Sequence, residues 1–142
     1  MLSKLEQRVV DKIDAKKDEI CSFLQTLVVF PSVTGKEAEI QNYIANYLEN
    51  MGLDVDMWVP DLDTIKDHPA YVVPDKTYKN RPNVVGVLKG AGQGKSLLFN
   101  GHVDVIPEGA KEAWVKPPFG AVIEDGRLYG RGASDMKSGL AA

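Results

Sequence analysis

The most informative run of residues in the chain is Leu98-Phe99-Asn100-Gly101-His102-Val103-Asp104-Val105-Ile106-Pro107. Apart from Asp104, residues 97–99 and 103–106 are apolar and largely β-branched or aromatic, which predicts a buried strand that Pro107 ends. Side chains two positions apart on a strand share a face, so we expect His102 beside Asp104. A metal-binding imidazole works best when its other ring nitrogen donates to a carboxylate. The run therefore predicts His102 as a metal ligand and Asp104 as its supporting group.

A simpler interpretation of this pair is a half-buried histidine that is hydrogen-bonded to Asp104 without any metal. A His-x-Asp pair alone is a short motif and fits both interpretations. The distinction depends on the rest of the chain.

A second run, Gly130-Arg131-Gly132-Ala133-Ser134-Asp135-Met136-Lys137-Ser138-Gly139, is almost free of bulky side chains. Small residues let a backbone turn sharply and approach a ligand closely. We expect Asp135 at the start of a helix that begins near Met136, with both carboxylate oxygens available to cations. The alternative is that Asp135 or Ser134 is only the N-cap of that helix. Just before this run, residues 119–123 and 128–129 flank Glu124-Asp125-Gly126-Arg127, which predicts a β-hairpin with an Asp-Gly turn.

Four motifs occur in order over the last third of the chain: residues 100–107, Trp114 with Pro117-Pro118-Phe119, residues 125–132, and residues 133–139. Together they resemble the acetylornithine deacetylase, succinyl-diaminopimelate desuccinylase, aminoacylase and glutamate carboxypeptidase family of zinc-dependent hydrolases. The resemblance implies that His102 ligates one zinc, that Asp135 bridges two zincs, and that Asp104 belongs to the catalytic machinery as the support of His102. It also implies a cis peptide bond after Asp135.

The resemblance implies an α/β fold, in which residues 1–142 form the N-terminal, incomplete portion of a three-layer α/β/α zinc-exopeptidase-like catalytic domain. The lid or dimerisation domain of the family is absent, as are its Glu-Glu pair, a further carboxylate and a final histidine. We expect two zinc ions per complete site, with cobalt able to replace them. The parent enzyme is expected to be a homodimer that hydrolyses an N-acyl amino acid or a small peptide, whereas the chain alone is expected to be inactive. The alternative is a non-catalytic binding or interaction module.

Composition excludes several other classes of protein. With 142 residues and 44% hydrophobic content the chain is long enough for one core, and its net charge of −3 predicts no nucleic-acid partner. No apolar run approaches the length of a membrane span, and the charged N-terminus lacks the apolar segment of a signal peptide, so we expect a cytoplasmic protein. The lone Cys21 is expected to be a core residue, and His68 a surface histidine.

The N-terminal half predicts scaffold elements. One long helix ending before Pro31 is expected from an apolar face, and Thr34-Gly35-Lys36-Glu37 is interpreted as a capping box that opens a second helix ending at Gly52. Residues 55–59 and 83–88 are candidate strands, the latter paired in a hairpin with the strand into His102; residues 60–81 are expected to form a surface excursion. The apolar positions of the two helices are Leu2, Leu5, Val9, Ile13, Ile20, Leu24 and Leu27, then Ile40, Ile44 and Leu48.

Gly90-Ala91-Gly92-Gln93-Gly94-Lys95-Ser96 resembles a phosphate-binding loop, but Lys89 stands where that motif needs its first glycine. The motif also needs a helix directly after Lys-Ser, and the residues that follow favour a strand. We therefore expect no nucleotide site.

Overall fold

The computed structural model describes residues 2–74 and 77–142. The described residues contain four α-helices and two two-stranded antiparallel sheets, a mixed α/β content. The chain divides into two compact units, one made of Met1–Phe30 with Glu108–Ala142 and the other of Pro31–Pro107. The helices and strands are α1 Lys4–Ala15, α2 Lys17–Val29, α3 Ala38–Asn50, β1 Asp54–Trp58, β2 Asn83–Val87, β3 Val122–Glu124, β4 Arg127–Tyr129 and α4 Ser138–Ala141.

The predicted single N-terminal helix is wrong, because it breaks at Lys16 into α1 and α2. Lys16 has φ −97° and ψ 3°, and residues 13–19 are all exposed, so no side chain packs this turn against a core. Along α1 the expected apolar face is exposed, whereas Leu27 and Val28 at the end of α2 are fully buried. Burial of the N-terminal segment is therefore concentrated in the last turns of α2.

Cys21 is exposed, which contradicts the prediction of a core residue. It shares a helical face with Val28 but lies two turns nearer the N-terminus of α2. The wide turn Ala133–Lys137 and α4 pack against α2, and burial rises only toward the end of that helix. The periodicity identified the face correctly but not how far along the helix the packing extends.

The Asp-Gly hairpin in the first unit is confirmed. Strands β3 and β4 pair Val122 with Tyr129 and Glu124 with Arg127. Asp125 and Gly126 have φ of 50° and 72°, the left-handed pair that a two-residue hairpin turn requires.

In the second unit, α3 packs on the antiparallel pair of strands β1 and β2. The strands at 55–59 and 83–88 are confirmed within one residue, but β2 pairs with β1, so that Asp54 faces Val87 and Trp58 faces Asn83. The predicted hairpin between β2 and the strand into His102 is therefore wrong. Residues 97–99 lie outside any strand and are 78–86% exposed, since no described strand lies beside them to form a ladder.

The capping box predicted for α3 is also wrong. The N-cap of α3 is Glu37, and no side chain caps the helix. The Glu37 carboxylate instead accepts a hydrogen bond from the Gly35 N–H at 2.8 Å and forms a partly buried ion pair with Arg81, with Nη2 to Oε1 at 2.9 Å. Arg81 thus links the end of the 60–81 segment to the start of α3. Most of the described residues of that segment, including His68, are exposed as expected.

None of the helices in residues 2–74 and 77–142 has both the length and the apolar character that a membrane span requires.

Candidate metal-ligand residues

A short segment of backbone holds the His102 region in the second unit. Val33 and Val105 form a parallel β-bridge, in which Val105 N–H donates to Ser32 O at 3.0 Å and Thr34 N–H donates to Val105 O at 3.1 Å. The buried Ser32 hydroxyl donates to Val103 O at 2.7 Å. The long strand predicted for residues 97–106 is therefore absent, and the β-bridge at Val105 is the extended pairing that the structure has in its place.

Alternation along this local strand separates core residues from candidate site residues. Val103 and Val105 are buried, at 7% and 4% exposure. The side chains of His102 and Asp104 are 48% and 33% exposed, on the other face. The expectation that these two side chains share a face is thus met by the geometry, even though the expected buried strand around them is absent.

The His102 ring is held by two oxygens of the same residue. Its Nδ1 lies 3.0 Å from the backbone O of Asp104 and 3.3 Å from the carboxylate Oδ1. Both oxygens are acceptors, so the proton of a neutral ring belongs on Nδ1 and the lone pair on Nε2. That tautomer is the one needed for a ligand that binds metal through Nε2.

Thr34 also contacts Asp104, a role that its sequence pattern did not predict, because Thr34 fits a capping box with Glu37. The Thr34 hydroxyl donates to Asp104 Oδ2 at 2.7 Å. The two residues are 70 positions apart, and no local pattern links them. The only available signal was the alternation Ser32-Val33-Thr34, which is typical of a short strand with two polar side chains on one face.

Asp135 lies in the first unit, within the wide turn Ala133–Lys137. The turn begins after Gly132, whose φ of 79° is in the left-handed region, and Lys137 N–H donates to Gly132 O at 3.0 Å. Asp135 and Met136 have non-helical dihedral angles, and the peptide bond between them is cis, as the resemblance implies.

The helix after Asp135 begins at Ser138, two residues later than expected. Its N-cap is Lys137, and no side-chain hydrogen bond caps it. Asp135 and Ser134 therefore do not cap this helix, contrary to the simpler interpretation of the motif. Met136, whose backbone is not helical, and Lys137, whose backbone is, lie between Asp135 and α4.

Lys137 anchors the Asp135 turn, and the sequence analysis missed it. Its side chain is fully buried, and Nζ donates to Leu27 O at 2.9 Å and to Phe30 O at 2.8 Å. These carbonyls belong to the end of α2, where a helix leaves its last C=O groups without intrahelical partners. Burial lowers the pKa of Lys137 to about 8. The lysine thus ties the turn carrying Asp135 to the C-terminus of α2.

The glycine and arginine of the same motif serve close packing. A Cβ atom at Gly130 would collide with Val28 Cγ1. The Arg131 guanidinium lies over the Trp114 ring at 4.9 Å, and Trp114 Nε1 donates to Glu108 O at 2.8 Å. These contacts give Gly130, Arg131 and Trp114 a packing role without assigning them chemistry.

The donor types fit part of a zinc site. Zinc in proteins takes imidazole nitrogen and carboxylate oxygen, and four ligands are usual in structural sites. His102 and Asp135 supply one donor of each kind. Within residues 2–74 and 77–142 the structure contains no group of three or more His, Cys, Asp or Glu side chains able to hold a metal ion.

Comparison with known proteins identifies the relatives of the chain. Residues 98–142 match peptidase family M20/M25/M40. The chain is 38% identical, over 99% of its length, to an N-formyl-4-amino-5-aminomethyl-2-methylpyrimidine deformylase from Halalkalibacterium halodurans, and 36% identical, over 92%, to the protein of that name from Bacillus subtilis. It is 37% identical, over 87%, to a succinyl-diaminopimelate desuccinylase from Pseudoalteromonas atlantica. The chain spans 28–30% of the length of these relatives. The matches confirm the resemblance drawn from the four motifs: residues 98–142 carry the sequence of peptidase family M20/M25/M40, and the chain is similar to hydrolases named as a deformylase and a desuccinylase.

Proposed function

We propose that the protein containing this chain is a metal-dependent amidohydrolase that cleaves a short acyl group from a small N-acylated amine. The observation that carries the proposal is the His102 ring, whose Nδ1 faces two oxygens of Asp104 so that the lone pair belongs to Nε2. In this proposal His102 and Asp135 are metal ligands, and Asp104 acts through His102. The match of residues 98–142 to peptidase family M20/M25/M40 supports this assignment.

The substrate class follows from what the relatives have in common. One kind of relative is named for removing a formyl group and the other for removing a succinyl group. Both reactions break a linear amide between a small acyl group and an amine. N-acyl amino acids and small peptides, the substrates implied by the motifs, carry the same bond.

A bound pair of zinc ions would supply a water of lowered pKa and would polarise the amide carbonyl. The residues of this chain would hold that centre. Asp104 keeps the His102 proton on Nδ1, and the Ser32 and Thr34 hydrogen bonds fix the backbone and carboxylate behind it. Lys137 fixes the turn from which Asp135 extends.

The remaining parts of the proposal rest on the resemblance. We propose a three-layer α/β/α catalytic domain of which residues 1–142 are one portion, a homodimeric parent enzyme, and a cytoplasmic location. The zinc pair, with cobalt as a substitute, is proposed on the same basis. The 142-residue chain by itself is proposed to bind metal weakly and to hydrolyse no amide.

The test uses the protein expressed from the complete coding sequence that contains this chain. Release of formate from an N-formyl amine and of succinate from N-succinyl-diaminopimelate is measured with zinc and after chelation. We expect activity that chelation abolishes, and a loss of at least ~10²-fold in His102→Ala and Asp135→Asn, because each removes a proposed ligand of the metal that activates the water.

The matched control is His68→Ala, which removes the other histidine of the chain. His68 is exposed, and its Nδ1 accepts a hydrogen bond from Ala70 N–H at 3.1 Å. Activity that survives chelation or His102→Ala would refute the proposal. A coding sequence that lacks a Glu-Glu pair and a further histidine would favour the non-catalytic binding module instead.

A further inference from the structure

The two carboxylate oxygens of Asp104 are divided between two partners. Oδ2 accepts from the Thr34 hydroxyl at 2.7 Å, and Oδ1 faces His102 Nδ1 at 3.3 Å. The Thr34 hydroxyl also lies 3.5 Å from Val105 O. A hydroxyl has one proton, and the shorter contact to a charged acceptor is the stronger bond. The proton of Thr34 is therefore directed to Asp104.

An aspartate carboxylate rotates in a broad torsional well, so its position alone does not fix which way its oxygens point. The side chains of Asp104 and His102 are both partly exposed, and water competes for the same oxygens. A fixed donor on Oδ2 restricts this rotation and holds Oδ1 toward the imidazole, where it is a second acceptor for Nδ1 beside the Asp104 backbone O at 3.0 Å. Thr34 provides such a donor.

The Thr34 hydroxyl is itself held by backbone. Thr34 N–H donates to Val105 O at 3.1 Å, and Val105 N–H donates to Ser32 O at 3.0 Å. Thr34 is β-branched, which restricts its χ1 torsion. The Thr34 hydroxyl therefore has little conformational freedom. Asp104, which it orients, directly precedes Val105 of the same β-bridge.

We propose that Thr34 is a positioning residue, which acts through the Asp104 carboxylate to keep the His102 proton on Nδ1. The part of this proposal that concerns metal affinity rests on the proposed function. The part that concerns the tautomer of His102 does not, because it is a property of the metal-free chain.

The test measures the ¹⁵N chemical shifts of the His102 ring nitrogens in the metal-free 142-residue chain, which report the tautomer ratio directly. Thr34→Val keeps the shape of the side chain and removes the hydroxyl. We expect the ratio of Nε2–H to Nδ1–H tautomer to rise about two- to tenfold, the range that corresponds to the net contribution of one hydrogen bond. In the protein from the complete coding sequence we expect zinc affinity to fall about tenfold, as when other supports of metal-binding histidines are lost.

Two further variants separate the hydroxyl from general effects of substitution. Thr34→Ser keeps the donor and should restore the wild-type tautomer ratio. Thr64→Val removes a threonine hydroxyl of the same unit that donates to Asp61 O, also at 2.7 Å, and should leave His102 unchanged.

A wild-type tautomer ratio in Thr34→Val would overturn the inference. If the amide signals of residues 32–34 and 103–105 show that Thr34→Val disrupts the β-bridge, the Thr34→Ser variant decides. A His102 tautomer ratio in Thr34→Ser that is as altered as in Thr34→Val overturns the inference. A wild-type tautomer ratio in Thr34→Ser supports it. Zinc affinity that is unchanged in His102→Ala would refute the proposed function, while the tautomer ratio still decides the role of Thr34.

Discussion

Replacing Lys137 by Met should destabilise the chain by about 2–4 kcal/mol. Methionine has nearly the same length and volume, so packing is kept, but the donors to Leu27 O and Phe30 O at 2.9 and 2.8 Å are lost. A buried acceptor left without a donor costs about 1–3 kcal/mol, and two are left here, the one at Phe30 only partly buried. The two costs sum to about 2–6 kcal/mol, and we expect the lower half of this range because water reaches the Phe30 carbonyl.

The measurement is urea unfolding of the 142-residue chain followed by circular dichroism, with the midpoint and slope compared between variants. The matched control is Lys116→Met, which removes a lysine of the same unit whose Nζ pairs with Glu124 at 2.9 Å on the surface. Such a pair contributes about 0–1 kcal/mol. If Lys137→Met and Lys116→Met lower stability equally, Lys137 does not hold the end of α2 as argued.

The other predictions concern pH, packing and activity. Burial lowers the pKa of Lys137 from 10.5 to about 8, so between these pH values the unfolded chain binds more protons than the folded chain. The free energy of unfolding should therefore rise with pH from about 8 to 10.5, since the neutral amine still keeps two N–H donors. Unfolding measured as a function of pH checks this, and Lys137→Met should abolish the rise. Gly130→Ala should cost about 1–3 kcal/mol because its Cβ meets Val28, whereas Gly90→Ala, with nothing within 4 Å, should stay within about 0.5 kcal/mol in the same unfolding assay. The purified chain should release no product from N-acyl amino acids above a His102→Ala control and should retain well under one zinc per chain after dialysis; zinc-dependent turnover or stoichiometric zinc would contradict this.

Features set by neighbouring residues were predictable from the sequence. The Asp125-Gly126 turn demands two left-handed residues, and the structure has them. The strand pattern at 83–88 was equally local. Its partner was not, because the choice between β1 and the residues before His102 depends on which segment the rest of the unit brings alongside.

The sequence predicted which residue types form the candidate site, but it did not predict the residues that hold them in place. The alternation that puts His102 and Asp104 on one face is a property of extended backbone. Thr34 contacts Asp104 from 70 residues away, and Arg81 contacts Glu37 from 44 residues away. Both contacts involve residues that a local pattern assigned to a capping box, since Thr-x-x-Glu satisfies that pattern whatever lies across from it.

The bond between Lys137 and the end of α2 also has a consequence for synthesis of the chain on the ribosome. The ribosome adds Leu27 and Phe30 110 and 107 residues before Lys137, whose ammonium group donates hydrogen bonds to their carbonyls. At 5–20 residues per second, the delay is roughly 5–20 s. Throughout that interval the nascent N-terminal segment lacks this anchor, and a chaperone or protease encounters it before the turn carrying Asp135 exists.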